Sequence, residues 1–184
     1  MIRAFVAIPV PQEITRMLTG VQARLEVGRL VPPENFHITL AYLGEYPEPV
    51  IEDVHTLMVG IEPEAIHLQI EGLGVFGGEK PRLLFAEVVP NKTLSMLRKR
   101  VRSAARDAGI KLEHSRYHPH ITLARFGSGL VGGDVLDLQQ FISARMVRAK
   151  GSFTATGFSL YESRLGSHAP HYSTLSNYGQ PHLD

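Results

Sequence analysis

The chain spells His-Ile-Thr-Leu-Ala twice, in HITLAYLG at residues 37–44 and in HITLARFG at residues 120–127. Each copy is followed by one variable residue, one apolar residue and a glycine, so Tyr42-Leu43-Gly44 matches Arg125-Phe126-Gly127 in spacing. On a strand, residues i and i+2 share a face. His37 and Thr39 therefore point one way while Ile38 and Leu40 point the other, and His120 and Thr122 repeat the arrangement. A single His-x-Thr on a strand is usually structural, its ring bonded to backbone. A duplicated core strand would repeat its apolar positions, with no reason to keep both polar ones. Two copies with identical neighbours point to a shared site.

Working outward, MIRAFVAIP opens with an apolar, β-branched run over 2–8 that reads as a buried strand. Ile14, Met17, Leu18, Val21 and Leu25 then recur at helical spacing, with Pro11 suited to the first turn and Gly28 as the stop. VPPEN, at 31–35, is an extended or turning connection into the first repeat. A helix over 49–60 follows, then strands over 65–76 and 81–89 joined by GGEK, a hairpin signal. The second half repeats the order: a helix over 91–109 closed by Gly109, the second HITLA strand, a helix near 134–146, and strands over 152–163 and 171–178.

Hairpins and mixed elements predict an α+β fold, largely antiparallel with helices packed outside. The paired motifs predict two lobes related by a pseudo-two-fold axis across a central cleft, in one bilobal unit over 1–184, since no Gly, Ser or Pro-rich linker separates them. With 43% hydrophobic residues the chain has a sizeable core to bury, and only the tail QPHLD reads as ragged.

Nineteen basic against eighteen acidic residues leave a formal charge of +1, which argues against coating nucleic acid by bulk electrostatics. A polyanion needs a local patch. The chain has no Cys, hence no disulfide framework and no thiolate for metal or nucleophilic chemistry, as suits a cytoplasmic protein. The N-terminal apolar run, broken by Pro9 and Pro11, is too short to span or address a membrane.

Two imidazoles facing one centre suit phosphate-ester chemistry, one taking a proton from the nucleophile and the other giving one to the leaving oxygen. Imidazole titrates at about 6.5, so one ring can be neutral and its partner charged near neutrality. Thr39 and Thr122 can donate hydrogen bonds to the non-bridging oxygens. This chemistry needs no metal and no cofactor.

Paired H-x-T-x motifs in two similar halves resemble the two-histidine (2H) phosphoesterase superfamily, and in particular its RNA 2′,3′-cyclic phosphodiesterase branch, also called 2′-5′ RNA ligase. RAFVAIP at 3–9, VPPENFHITLAYLGE at 31–45, GVF with KPRLLFAEV over 74–88, HPHITLAR at 118–125 and LYESRLG with Tyr172 carry the resemblance over nearly the whole chain. It implies hydrolysis of a terminal 2′,3′-cyclic phosphate to a 2′-phosphate, with water attacking phosphorus and O3′ leaving, and reversible 2′-5′ ligation as a weaker activity. It implies His37 and His120 as the acid–base pair, Thr39, Thr122 and Arg125 as phosphate ligands, and Phe5 as an aromatic near the substrate base. Leu30 and Phe85 stand where the family pattern carries Trp. The partner implied is an RNA end or a nucleotide with a 2′,3′-cyclic phosphate, and the enzyme is expected to be a cytoplasmic monomer.

Strict alternation points Arg125 away from His120, so a bulge or the strand's end before Gly127 must re-aim it. Arg98, Arg102 and Arg106 form an i, i+4 stripe that reads first as a solvated helix face. His114, His118 and His120, or His168 and His171, match no zinc spacing, and GVFGGEK matches no nucleotide-phosphate loop. Alternatives to the hydrolase are a non-catalytic module holding RNA ends or nucleotide phosphates, or a 2H phosphodiesterase for a small cyclic nucleotide, a 2′-5′ oligoadenylate or an ADP-ribose cyclic phosphate.

Overall fold

The computed structural model describes residues 1–114, 116–166 and 169–180. The first half runs β1 (Ile2–Pro9), α1 (Gln12–Gln22), β2 (Arg29–Leu30), a 3-10 turn over Pro33–Asn35, β3 (His37–Tyr46), α2 (Glu48–Val59) and β4 (Ile66–Phe76). The second runs β5 (Leu83–Val88), α3 (Lys92–Asp107), β6 (His120–Arg125), α4 (Gly133–Arg145), β7 (Lys150–Arg164) and β8 (His171–Gln180). Apart from β2 and β8, both halves read strand, helix, strand, helix, strand.

All strand pairings are antiparallel and join into one sheet in the order β1-β3-β6-β5-β4-β7-β8, with β2 on β6 and a further pairing of β7 with β1. β5 pairs with β6 as β1 pairs with β3, so these pairs are equivalent. The third strand of each half is exchanged: β4 lies on β5 of the second half, and β7 lies on β1 of the first. The halves meet directly between β3 and β6 at one residue pair, Ile38 with Ile121. Each is the second residue of its HITLA copy, so this pairing lies on the pseudo-two-fold relation between the halves.

Helices form where the apolar spacing requires them. Ile14, Leu18 and Val21 of α1 are buried, as are Leu94, Leu97, Val101 and Ala105 of α3, whose start is capped by Asn91 Oδ1 accepting the Leu94 N–H at 2.8 Å. Gly109, with φ 85°, follows the end of α3 as expected. Gly28 does not stop α1. The helix ends at Gln22, because that residue is buried and its Nε2 donates to the carbonyls of Val31 at 3.0 Å and Leu123 at 2.6 Å. Gly28 instead turns the chain into β2 at φ 80°, where a side chain would collide with the Phe126 ring.

The four helices cover the apolar side of the sheet and share one core with residues of every long strand. No described helix is long and apolar enough to cross a membrane. His168 and the last four residues of the tail, 181–184, lie outside the described residues.

Candidate active site

Burial separates the two faces of the repeated strands. Ile38, Leu40, Ile121 and Leu123 are at most 1% exposed, whereas His37, Thr39, His120 and Thr122 are half-buried. Antiparallel register about the Ile38–Ile121 pair sets His37 beside Thr122 and His120 beside Thr39. The surface depressions agree: His37, Thr122 and Arg125 line one, and Thr39 and His120 line its neighbour.

The fourth and fifth residues of HITLA explain the position that follows. In β6 the pairing with β5 slips between Leu84–Ala124 and Phe85–Thr122, leaving Leu123 as an extra residue. In β3 the pairing with β1 slips in the same place, between Val6–Ala41 and Ala7–Thr39, leaving Leu40 extra. Leu and Ala of each copy are therefore consecutive buried residues, and the next residue turns back to the polar face. In β6 that residue is Arg125, which joins the depression with His37 and Thr122. In β3 it is Tyr42, whose hydroxyl accepts a hydrogen bond from Arg3 Nε and whose ring lies under the Arg3 guanidinium. The glycines two places on, Gly44 and Gly127, both take positive φ, 90° and 55°, which accounts for their matched offset.

Each imidazole is tied in the same way. Nδ1 of His37 is 2.7 Å from the carbonyl of Asn35, and Nδ1 of His120 is 2.7 Å from that of His118. A carbonyl only accepts, so Nδ1 carries the proton and Nε2 is left free to exchange one. Desolvation pushes the His37 pKa down to about 4, helped by the positive charge of His120 and Arg125, against the pull of its carbonyl bond. His120 is lowered too, first by burial and then by His118 and Arg125. The hydrogen bonds of the described residues leave the hydroxyls of Thr39 and Thr122 open; the Thr39 carbonyl alone is engaged, by Tyr117 Oη at 3.2 Å.

Aromatic rings support both histidines. Phe5 is 4% exposed, stacks on Tyr161 at 5.1 Å between centroids, and touches His37 at 4.8 Å and Tyr172 at 4.8 Å. It is thus a wall beneath His37, while the half-buried Tyr172 stands beside it. On the other side Phe76 and Phe85 stack at 4.4 Å and lie 5.1 and 5.2 Å from His120. Phe85 fills one of the two positions without Trp; Leu30, the other, is exposed at the rim of the His37 depression.

Sequence reasoning missed three contributors. Asn35, 7% exposed, donates from Nδ2 to the Pro170 carbonyl at 2.8 Å while its own carbonyl holds His37, tying the chain before Tyr172 to the ring. Gln22 and the Val31 N–H, at 2.8 Å, both donate to the carbonyl of bulged Leu123. Arg29 faces Arg125 from β2 and lines the same depression. Nothing local in the sequence marks them, since each acts on a residue brought near by the fold.

The arginine stripe departs from a solvated face. Arg106 is exposed, but Arg98 and Arg102 are half-buried and line the depression that holds His120 and Thr39. His118 serves His120 through its backbone carbonyl, its ring standing 3.7 Å from a Glu87 carboxylate oxygen. Among the described residues no group of three or more His, Cys, Asp or Glu is placed to hold a metal ion.

Comparisons with known proteins agree with this geometry. Residues 6–167 match the family model described as the 2′-5′ RNA ligase superfamily. The RNA 2′,3′-cyclic phosphodiesterase of Bacillus subtilis is 34% identical over 131 residues, covering 68% of this chain and 72% of its own. The protein of the same name from Aeropyrum pernix is 31% identical over 150 residues, 80% of this chain and 83% of its own. The crystal structure of Escherichia coli LigT complexed with 3′-AMP superposes with a TM-score of 0.79 at 27% identity, covering 97% of both chains. A fold built around two HITLA strands, matched over nearly its full length, places this chain in the 2′-5′ RNA ligase superfamily.

Proposed function

We propose that the protein is an RNA 2′,3′-cyclic phosphodiesterase that opens a terminal 2′,3′-cyclic phosphate to a 2′-phosphate. The observation that carries this reading is the pair of half-buried imidazoles on one face of β3 and β6, each with Nδ1 held by a carbonyl and Nε2 free. His37 and His120 are the acid–base pair: one draws a proton from water as its oxygen attacks phosphorus, and the other delivers a proton to O3′ as the P–O3′ bond breaks. The hydroxyls of Thr39 and Thr122 and the guanidinium of Arg125 stabilise the non-bridging oxygens, where negative charge concentrates in the transition state. A bound phosphodiester anion also offsets the repulsion from Arg125, raising the pKa of the ring that must donate.

Phe5, with Tyr161 and Tyr172, walls the space for the terminal base beside His37. Reversal of the ring opening gives 2′-5′ ligation without a nucleoside triphosphate, as the strained ring supplies the energy. Residues 1–184 act as one bilobal unit, since each half lends a strand to the other. We further infer a monomer acting on RNA ends in the cytoplasm, in keeping with a chain without Cys.

The test is a short RNA ending in a 2′,3′-cyclic phosphate, incubated with the protein in EDTA, its product terminus identified by phosphorus NMR. Conversion to a 2′-phosphate is expected. Tight binding with no turnover would favour a module that only holds RNA ends, and turnover confined to another cyclic phosphate would move the substrate.

A further inference from the structure

The depression beside His120 has a volume of about 460 Å³, more than one phosphate and two hydroxyls require, and its walls carry charge that the chemistry above does not use. Arg98 and Arg102, one turn apart on α3, form one side, and Lys111 and Arg116 continue it. Arg98 Nε is buried without a hydrogen-bond partner among the described residues, while its guanidinium lies 4.2 Å from the centre of the Tyr117 ring. Tyr117 in turn donates to the carbonyl of Thr39, so this arginine is braced against the strand that carries half of the active site. Arg102 Nη2 donates to the backbone carbonyl of Glu113 at 2.7 Å.

The ion pairs of the described residues, His118 with Glu87 and Arg164 with Glu162, involve none of these cations. The carboxylate of Glu113 also lines the depression, leaving a local excess of positive charge. Half-buried arginines without a carboxylate partner are costly unless a ligand supplies the anion. The opposite wall is aromatic. Tyr42, 51% exposed and held by Arg3, and Phe76, 38% exposed and edge-on to His120, are large rings left open in the same depression. Cations that follow a backbone beside exposed rings that stack bases are how proteins grip single-stranded nucleic acid.

We propose that this depression holds the RNA strand leading up to the reacting end, Arg98 and Arg102 binding backbone phosphates 5′ of the terminal nucleotide while Phe76 and Tyr42 stack on its bases. The inference rests on the hydrolase reading and adds its substrate class: an oligoribonucleotide in preference to a mononucleotide. Arg125 and Arg29 border the terminal phosphate on the His37 side, and the α3 side receives the rest of the chain.

The experiment compares kcat/KM for a hexaribonucleotide ending in a 2′,3′-cyclic phosphate with that for a nucleoside 2′,3′-cyclic phosphate, in wild type, Arg102→Glu and Arg98→Gln/Arg102→Gln. The oligonucleotide-to-mononucleotide ratio should fall at least about tenfold in both variants. The salt dependence of oligonucleotide kcat/KM should flatten by about 1.4 log units per decade in the double variant, at about 0.7 per phosphate released. Arg102→Glu, on the less enclosed of the two positions, keeps the test readable should the double variant fold poorly. An unchanged ratio, or equal losses on both substrates, would overturn the proposal. If wild type turns over neither substrate, the hydrolase reading fails on its own. Fluorescence anisotropy of the same RNA with a 3′-phosphate then decides the strand site: weaker binding by the variants supports it, and equal binding rejects it.

Discussion

Both imidazoles sit below the ordinary histidine range for the same physical reasons, loss of solvent and a guanidinium close by. The pair therefore titrates as a coupled unit whose two apparent values both lie under 6.5. Because kcat/KM reports the free enzyme, its pH optimum is expected on the acid side of 6.5, with activity falling as pH rises beyond it. The kcat profile, which reports the substrate complex, should be displaced upward by the phosphate charge. A kcat/KM optimum above pH 7 would contradict this account of the rings. At Asn35 one side chain serves two partners, and Asn35→Ala strips the Pro170 carbonyl of its donor. A loss of about 1–3 kcal/mol in denaturant unfolding is expected, with a fall in kcat as Tyr172 loosens beside His37. Unchanged stability would show that bond to be idle.

At the scale of the element, the bulge shared by β3 and β6 is the main device, and it was only half legible. Alternation gave the common face of His37 and Thr39, and the odd spacing of Arg125 flagged a break in the strand. That Leu-Ala supplies the break in both copies needed the pairing register, because a bulge is defined by the neighbouring strand and not by its own residues. Gln22 is the clearest example of what sequence hides. It lies on a helical stripe of apolar residues yet holds the carbonyl of Leu123, across 101 positions of chain. Gln22→Leu, of similar size, leaves that carbonyl and Val31 short of a donor and should cost about 1–3 kcal/mol, with KM for the cyclic phosphate rising as Arg125 loses its aim. A stable variant with unchanged KM would separate the bulge from the site. On β4, a methyl at Gly74 would fall 2.5 Å from the Phe85 ring, which lies against His120. Gly74→Ala is therefore expected to lower kcat several-fold more than it raises KM, and a kcat equal to wild type would argue that Phe85 yields freely.

Across the whole molecule, the exchange of β4 and β7 between the halves explains why the paired histidines keep one geometry: neither half can shift without dragging a strand of the other. The order of elements and the duplication were readable from hydrophobic periods and from HITLA itself, whereas the exchange was not, since it depends on which edges meet. The same interlocking ties acid stability to the site. In the unfolded chain His37 takes a proton near 6.5, but in the fold it resists protonation down to about 4. Stability is therefore intact above 6.5 and lost progressively as pH falls toward 4, because the unfolded state binds the proton first. His37→Gln should lose less between pH 7 and 4.5 in urea titrations than wild type, and parallel losses would contradict the burial argument.

The central claim is that two copies of one pentapeptide form a single acid–base unit, and a double-mutant cycle on kcat/KM with a 2′,3′-cyclic phosphate RNA tests it most directly. His37→Ala and His120→Ala are each expected to cost about 10²–10⁴-fold, and the double variant little more than the worse single. Single variants at wild-type rates, or two losses that multiply as independent contributions, would contradict it.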